Sequence, residues 1–434
     1  MTLSGRSAAL AGRLRRHARP TRWTTVWGTV AASCFGVLLV TGVLLTVAYE
    51  PSVEPVVYRG SYGPLRGVTT SAAYASTVHL SLDVRGGLLV RQAHHWAALL
   101  LPAALLLQLA TTFFTGTARR PGRRRWVLLV VVLLLVLGAG WSGYALPDDS
   151  LSGTGLRIVE GTALALPLVG TWLAQTLSGG EFPGRVVENL YVVHLVVPLL
   201  VVVLVALRRW RRRWEDVTVQ TAGLALVTAG VVTLMAGTLT VSPVWRYGPS
   251  SPGDAYAGSQ PDWYTAFLDG ALRLVPPGWE VDLGDRTLTL AVLVPLGAVG
   301  AFFGLLTLWP FVEERLTGDR ADHPVPERPR AAPFRTAVGA AGITFYGTLW
   351  LAGSADVLAT ELRVSFEGVI RVLRGVVLLG PLVAYALTRT VCGTLRAADR
   401  ERREHGAESG IVVRSPSGGY TELHVPVRAR PKEL

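Results

Sequence analysis

At 434 residues, half of them apolar and only 17% charged, the chain carries more long apolar runs than a water-soluble core could bury. A formal net charge of +12 would suit a nucleic-acid partner, but the arginines stand in clusters between the apolar runs, which argues against that class. Its two cysteines, Cys34 and Cys392, form no C-x-x-C-H or zinc spacing, and no P-loop, nucleotide-binding glycine motif or nucleophile elbow is present in a fitting context.

Eight candidate membrane spans follow one another at residues 27–47, 94–112, 126–143, 191–207, 217–241, 288–310, 338–353 and 370–387. The first is too long for the apolar core of a secretory signal and reads as an uncleaved anchor. The seventh is short and glycine-rich. Basic clusters at 13–22, 119–125, 208–213, 315–335 and 389–403 all fall on one side of an eight-span chain. The positive-inside rule then puts both termini in the cytoplasm of a multi-pass plasma-membrane protein. The expected fold is all-α and integral to the membrane. A basic N-terminal segment (1–26) precedes a four-helix bundle (27–214), a second helical half (215–390) and a cytoplasmic tail (391–434).

The connections on the outer side are long, at 48–93, 144–190, 242–287 and 354–369, a length that usually means function. Residues 155–176 are amphipathic and predict short helices lying on the outer surface. The tail predicts a small hairpin over 411–425, turning at Ser417-Gly418-Gly419.

Three of the eight histidines, His94, His95 and His194, lie within apolar spans. His94 and His194 occupy the second and fourth spans near the same outer end, so two facing helices could hold an iron porphyrin between two imidazoles. Ionisable groups at such depth are functional candidates, although two histidines could also simply hydrogen-bond at the interface. His95 reads as a structural neighbour. Gly28 and Gly42, fourteen residues apart in the first span, and Gly143 in the third allow the close backbone approach that a flat ring requires, or ordinary packing of small residues. Arg91, about one turn before His94, could pair with a propionate. The supply of imidazoles allows one bis-histidine site and no more.

Several ordered motifs carry a resemblance: Tyr74-Ala75-Ser76-Thr77, Asp83-Val84-Arg85-Gly86-Gly87, Arg91-Gln92-Ala93-His94-His95-Trp96, Gly143-Tyr144-Ala145-Leu146-Pro147-Asp148-Asp149 and Leu151-Ser152-Gly153-Thr154-Gly155. Further on stand Gly179-Gly180-Glu181-Phe182-Pro183-Gly184, Gly258-Ser259-Gln260-Pro261-Asp262-Trp263-Tyr264, Pro310-Phe311-Val312-Glu313 and Thr344-Phe345-Tyr346-Gly347. With these the chain resembles the cytochrome b subunit of actinobacterial menaquinol/ubiquinol–cytochrome c reductases. The resemblance implies that His94 and His194 are axial ligands of the outer haem b, that Gly42 and Gly143 make room for it, and that Arg91 meets its propionate. It makes Pro261-Asp262-Trp263-Tyr264 the quinol-oxidation loop, with aspartate where the family usually has glutamate. In the family that carboxylate is implicated in taking a proton from quinol, a task suited to a general base, but Asp262 is one methylene shorter. The partners implied are quinol (menaquinol for an actinobacterial type), iron–sulfur and cytochrome c subunits, and a second copy as homodimer. No nucleic acid is implied.

The chain departs from the family's pattern at the inner haem. Fourteen residues turn a helix by about 1,400° and raise it roughly 21 Å, so ligands spaced this way stack two haems along one helix pair. Fourteen past His94 stands Gln108; fourteen past His194 stands Arg208, followed by Arg209. Thr111 replaces the inner propionate arginine, Leu129 replaces the inner glycine of the third span, and only Gly28 remains. The expectation is one b-type haem on the outer side, with no inner haem and no quinone-reducing site beside the short, basic fourth connection. Two functions fit. One is a quinol-oxidising subunit of respiratory electron transport, and the other a non-catalytic paralogue that scaffolds or regulates a respiratory complex. A channel or transporter would need paired intramembrane charges, which the spans lack.

Overall fold

The computed structural model describes residues 23–180, 182–210, 218–251, 261–284, 286–323 and 325–426. The basic cluster at 13–22, the side chains of Arg208 and Arg209, residues 211–213, Glu181 and Gly258-Ser259-Gln260 lie outside what is described.

The chain opens with α1 (Trp23–Leu45), the short hairpin β1 (Pro55–Val57) and β2 (Thr69–Ser71), and α2 (Ala72–Leu82). Next come α3 (Gly87–Phe114), α4 (Arg123–Ala145), α5 (Ser150–Leu164), α6 (Gly170–Ser178) and α7 (Val186–Trp210). The second half holds α8 (Val219–Thr238), α9 (Val244–Tyr247), α10 (Ala266–Leu274), the hairpin β3 (Glu280–Leu283) and β4 (Arg286–Thr289), α11 (Leu290–Thr317), α12 (Pro333–Gly353), α13 (Ala355–Leu362) and α14 (Phe366–His405). A last antiparallel hairpin, β5 (Ala407–Arg414) and β6 (Tyr420–Val425), closes the described chain.

Among the described residues, seven helices are long and apolar enough to cross a membrane. The eighth expected span, α12, has the length at 21 residues, but Arg335 and its glycines and threonines hold its apolarity below that of the others. It packs along α14 and α10. The protein is therefore a multi-pass, all-α membrane protein, and its valine- and leucine-rich outward faces, such as Val192, Val196, Leu199 and Val203 on α7, suit lipid rather than water.

Two boundaries differ from the sequence reading. Helix α3 begins at Gly87, two turns before His94, because the polar residues between them are not at a helix end. Arg91 and Gln92 are buried and bonded to the chain after α8: Arg91 Nη2 donates to the Ser242 carbonyl and Gln92 exchanges bonds with Val241. Helix α14 runs 40 residues, about 60 Å, twice the hydrocarbon thickness. Its apolar stretch ends near 387, but the arginines, alanines and glutamates beyond are good helix formers and carry it on.

Helices α1 and α3 pack along each other, as do α4 and α7, while α8 lies against α1 and α3. Trp126, Val130 and Leu133 of α4 are fully enclosed, and Trp126 Nε1–H donates to the Leu306 carbonyl of α11, tying the two halves together. At one end of the bundle, three arginine-bearing segments meet acids. Arg335, 2% exposed, holds Glu313 at 2.9 Å and Glu327 at 2.8 Å; Arg119 holds Glu327 and Asp319; Arg330 holds Asp399 of α14. Gly116 leaves room for the Arg335 guanidinium, which a Cβ there would strike at 2.6 Å. The segments after α3 and after α11 and the extension of α14 thus share this arginine-rich end.

Candidate functional site

His94 on α3 and His194 on α7 face each other, their ring centroids 6.2 Å apart and their planes inclined at 60°. With metal–nitrogen bonds of about 2 Å, a spacing of this size is within the reach of two imidazoles that would hold one metal. The tautomers follow from the neighbours. His194 Nδ1 lies 2.9 Å from the Ala139 carbonyl, which can only accept, so Nδ1 carries the proton. Thr41 Oγ1 donates its own proton to the Val37 carbonyl at 2.6 Å and therefore accepts from His94 Nδ1 at 2.9 Å. Both rings are thus left with the Nε2 lone pair for a metal, and both are oriented by a hydrogen bond at the far nitrogen, the usual support of a ligating histidine.

Gly42 and Gly143 stand beside these rings. A Cβ at Gly42 would come to 3.3 Å from His94 Cε1, and one at Gly143 to 2.6 Å from His194 Cε1. Each glycine therefore makes room for the neighbouring imidazole. Arg91 is buried, with Nη2 on the Ser242 carbonyl and the guanidinium 5.8 Å from the Trp245 ring centre, while Nε has no partner. A buried unpaired donor on an arginine one turn from His94 is what a propionate would satisfy. The residues at this end fit a b-type haem.

The residues fourteen positions away do not. Gln108 turns its amide onto Gly28, where a Cβ would lie 3.1 Å from Nε2, and Leu129 of α4 is buried. The space that Gly28 leaves is filled by an amide, a far poorer ligand for haem iron than an imidazole.

The loop 261–264 closes over the histidine end. Asp262 is held by both oxygens: Oδ2 accepts from the Tyr264 hydroxyl at 2.9 Å, and Oδ1 lies 3.3 Å from His95 Nε2. Tyr264 is 1% exposed, and burial followed by the Asp262 charge pushes its hydroxyl well above the ordinary tyrosine range, so it stays a donor. Trp263 donates from Nε1 to the Leu99 carbonyl at 3.2 Å and accepts on its own carbonyl from Trp350 Nε1 at 2.9 Å. Thr265 caps the turn, donating from both its amide and its hydroxyl to the Asp262 carbonyl. Pro261 leads into this turn half-buried.

The structure brings this loop and the histidine pair together on shared helices. Tyr264 packs on Gly140 and His194 on Gly143, one turn apart on α4, while His94 and His95 are consecutive on α3. Sequence reasoning missed the roles of Thr41, Ala139 and His95. Thr41 stood next to a singled-out glycine, but nothing in the sequence links His95 to a loop in the other half of the chain.

Residues 99–210 match the family described as "Cytochrome b(N-terminal)/b6/petB". The "Cytochrome bc1 complex cytochrome b subunit" of Streptomyces coelicolor is 38% identical over 96% of this chain and 81% of the relative. The proteins of the same description from Corynebacterium diphtheriae and Mycobacterium tuberculosis are 40% and 41% identical, over 94% and 97% of this chain and 80% and 81% of their own lengths. A solved "Hyperthermophilic respiratory Complex III" shares the fold at a TM-score of 0.60 and 15% identity, covering 86% of this chain and 92% of that one. By these likenesses and the geometry above, the chain belongs to the cytochrome b subunits of bc1 complexes.

Proposed function

We propose that the chain binds one b-type haem between His94 and His194 and oxidises quinol, menaquinol by its actinobacterial relatives, at the face covered by the 261–264 loop. The single observation that carries this is the pair of imidazoles at metal-bridging distance, each locked by an Nδ1 hydrogen bond into the tautomer that frees Nε2. A haem bound there supplies one-electron acceptor chemistry. Asp262 takes a proton from the quinol hydroxyl, Tyr264 holds the carboxylate, and Trp263 fixes the loop to α3 and α12. Arg91 offers its free Nε to a propionate, and Gly42 and Gly143 admit the ligand rings.

In this reading residues 27–214 form the haem-binding half and 215–390 carry the quinol loop. The arginine-rich end faces the cytoplasm with both termini, as the positive-inside rule demands. Iron–sulfur and cytochrome c subunits take the remaining electrons at the opposite face, and two copies form a dimer. No second haem is held at Gln108.

That last point favours a second reading, a non-catalytic paralogue in a bc1-type complex. The space at Gly28, filled by Gln108, leaves an electron no relay across the bundle. Haem per polypeptide and the reduced-minus-oxidised spectrum of the detergent-purified protein, followed by mixing with menadiol, decide between them. One haem reduced by menadiol supports the enzyme, one haem inert to menadiol supports the paralogue, and two haems overturn both.

A further inference from the structure

We infer that His95 is a positioning residue for the quinol base: it holds Asp262 against α3 and so compensates for the methylene that aspartate lacks. The inference rests on the proposed quinol site. A carboxylate at the end of one methylene reaches less far than glutamate, and unless both oxygens are held it can rotate away from a substrate. Here Oδ2 is fixed by Tyr264 at 2.9 Å and Oδ1 by His95 at 3.3 Å, with the Asp262 main chain pinned by Thr265. With the carboxylate ionised, His95 Nε2 must carry the proton of that contact. Asp262 and His95 are each less than one-fifth exposed, so water competes only partly for the contact. An ionised carboxylate can accept about four hydrogen bonds, so beyond Tyr264 and His95 it keeps about two acceptor positions, enough for a quinol hydroxyl.

The placement matters as much as the bond. His95 follows His94 directly on α3, and Tyr264 sits on the same stretch of α4 as His194. Asp262 is therefore held between His95, on the helix that bears His94, and Tyr264, which packs on the helix that His194 contacts. Its position relative to that pair is set by helices rather than by the loop alone.

The test uses the full chain in detergent, with His95→Leu, His95→Gln and Asp262→Asn. The infrared carboxylate stretch of Asp262, identified as the band lost in Asp262→Asn, reports the contact in the resting protein. Menadiol-dependent haem reduction reports its use. His95→Leu is expected to shift that band and lower the maximal rate by about tenfold or more, the size of one hydrogen bond to a charged group, while KM changes little. His95→Gln, which keeps an N–H donor, restores most of the rate and the band position. Placed on top of Asp262→Asn, His95→Leu should have no further effect.

An unmoved band, or an equal further loss in the Asp262→Asn background, overturns the inference. The haem spectrum checks that His94 still ligates. If His95→Leu does not hold haem, His95→Asn, too short to reach, takes its place against His95→Gln. If the wild-type protein fails to oxidise menadiol, the quinol reading falls, while the infrared band still decides whether His95 holds Asp262.

Discussion

Along the α1–α3 pair the same arrangement occurs twice, fourteen residues apart, with opposite outcomes. At one level Gly42 faces the ring of His94, and at the other Gly28 faces the amide of Gln108. Both glycines present an open backbone face to α3, and both faces are occupied by the side chain opposite. What differs is the set of groups around that side chain. His94 has Thr41 to fix its tautomer and His194 as its counterpart 6.2 Å away. Gln108 has only Gly28 opposite it and meets no second imidazole among the described residues. A glycine in a helix therefore marks where a ring could fit, and the second neighbours decide whether one is held.

The largest break of that contrast comes from removing either imidazole. His94→Ala and His194→Ala should each lower bound haem from one per chain to none, measured by the pyridine haemochrome spectrum, whereas Gln108→Ala should leave it at one. Asp262→Asn should leave haem in place and slow menadiol oxidation by about a hundredfold, the scale of a lost general base, read by stopped-flow haem reduction. The glycines sharpen the comparison further. At Gly143 a Cβ would lie 2.6 Å from a ring held by hydrogen bonds, and Gly143→Ala should cost about 1–3 kcal/mol with loosened haem. At Gly28 the neighbour is the free end of a flexible amide at 3.1 Å, so Gly28→Ala should change thermal stability little. Equal effects of the two substitutions would erase the distinction.

The smallest effect expected is on pH dependence near the histidine end. Burial raises the Asp148 carboxyl from 3.8 to about 6, against hydrogen bonds from Ser71 and Ser250 that lower it. The folded protein then binds this proton more tightly than the unfolded chain. The stability it contributes is present below pH 3.8 and lost as pH rises through about 6. Asp148→Asn, which stays neutral, should raise the melting temperature most above pH 6 and flatten its slope between those values. A slope left unchanged would assign the titration to another group.

Most of the membrane-spanning helices were legible because long apolar runs are a property of sequence alone. The start of α3 was not, since Arg91 and Gln92 read as polar flanks until their partners at 241–242, supplied by the chain after α8, are known. The length of α14 was missed for the opposite reason: hydropathy marks where lipid ends and says nothing of where a helix ends. In the site, His94 and His194 stood out as imidazoles in apolar surroundings. The acid partners of Arg335 and the contact of His95 with Asp262 were invisible because each joins distant segments, and a local pattern cannot specify which ones meet. Glu313 was noticed as part of a motif, without the arginine that explains its burial.

Helix α4 carries Tyr264 on Gly140 and His194 on Gly143, with almost no space between side chain and backbone at either point. Such contacts act as a rigid rocker. A molecule wedged under the loop that tilts Tyr264 has no slack to dissipate the displacement, and interiors packed at this density pass strain on rather than absorb it. A compound lodged against this loop should therefore be audible in the electronic spectrum of whatever His194 binds, even if it never gives up an electron.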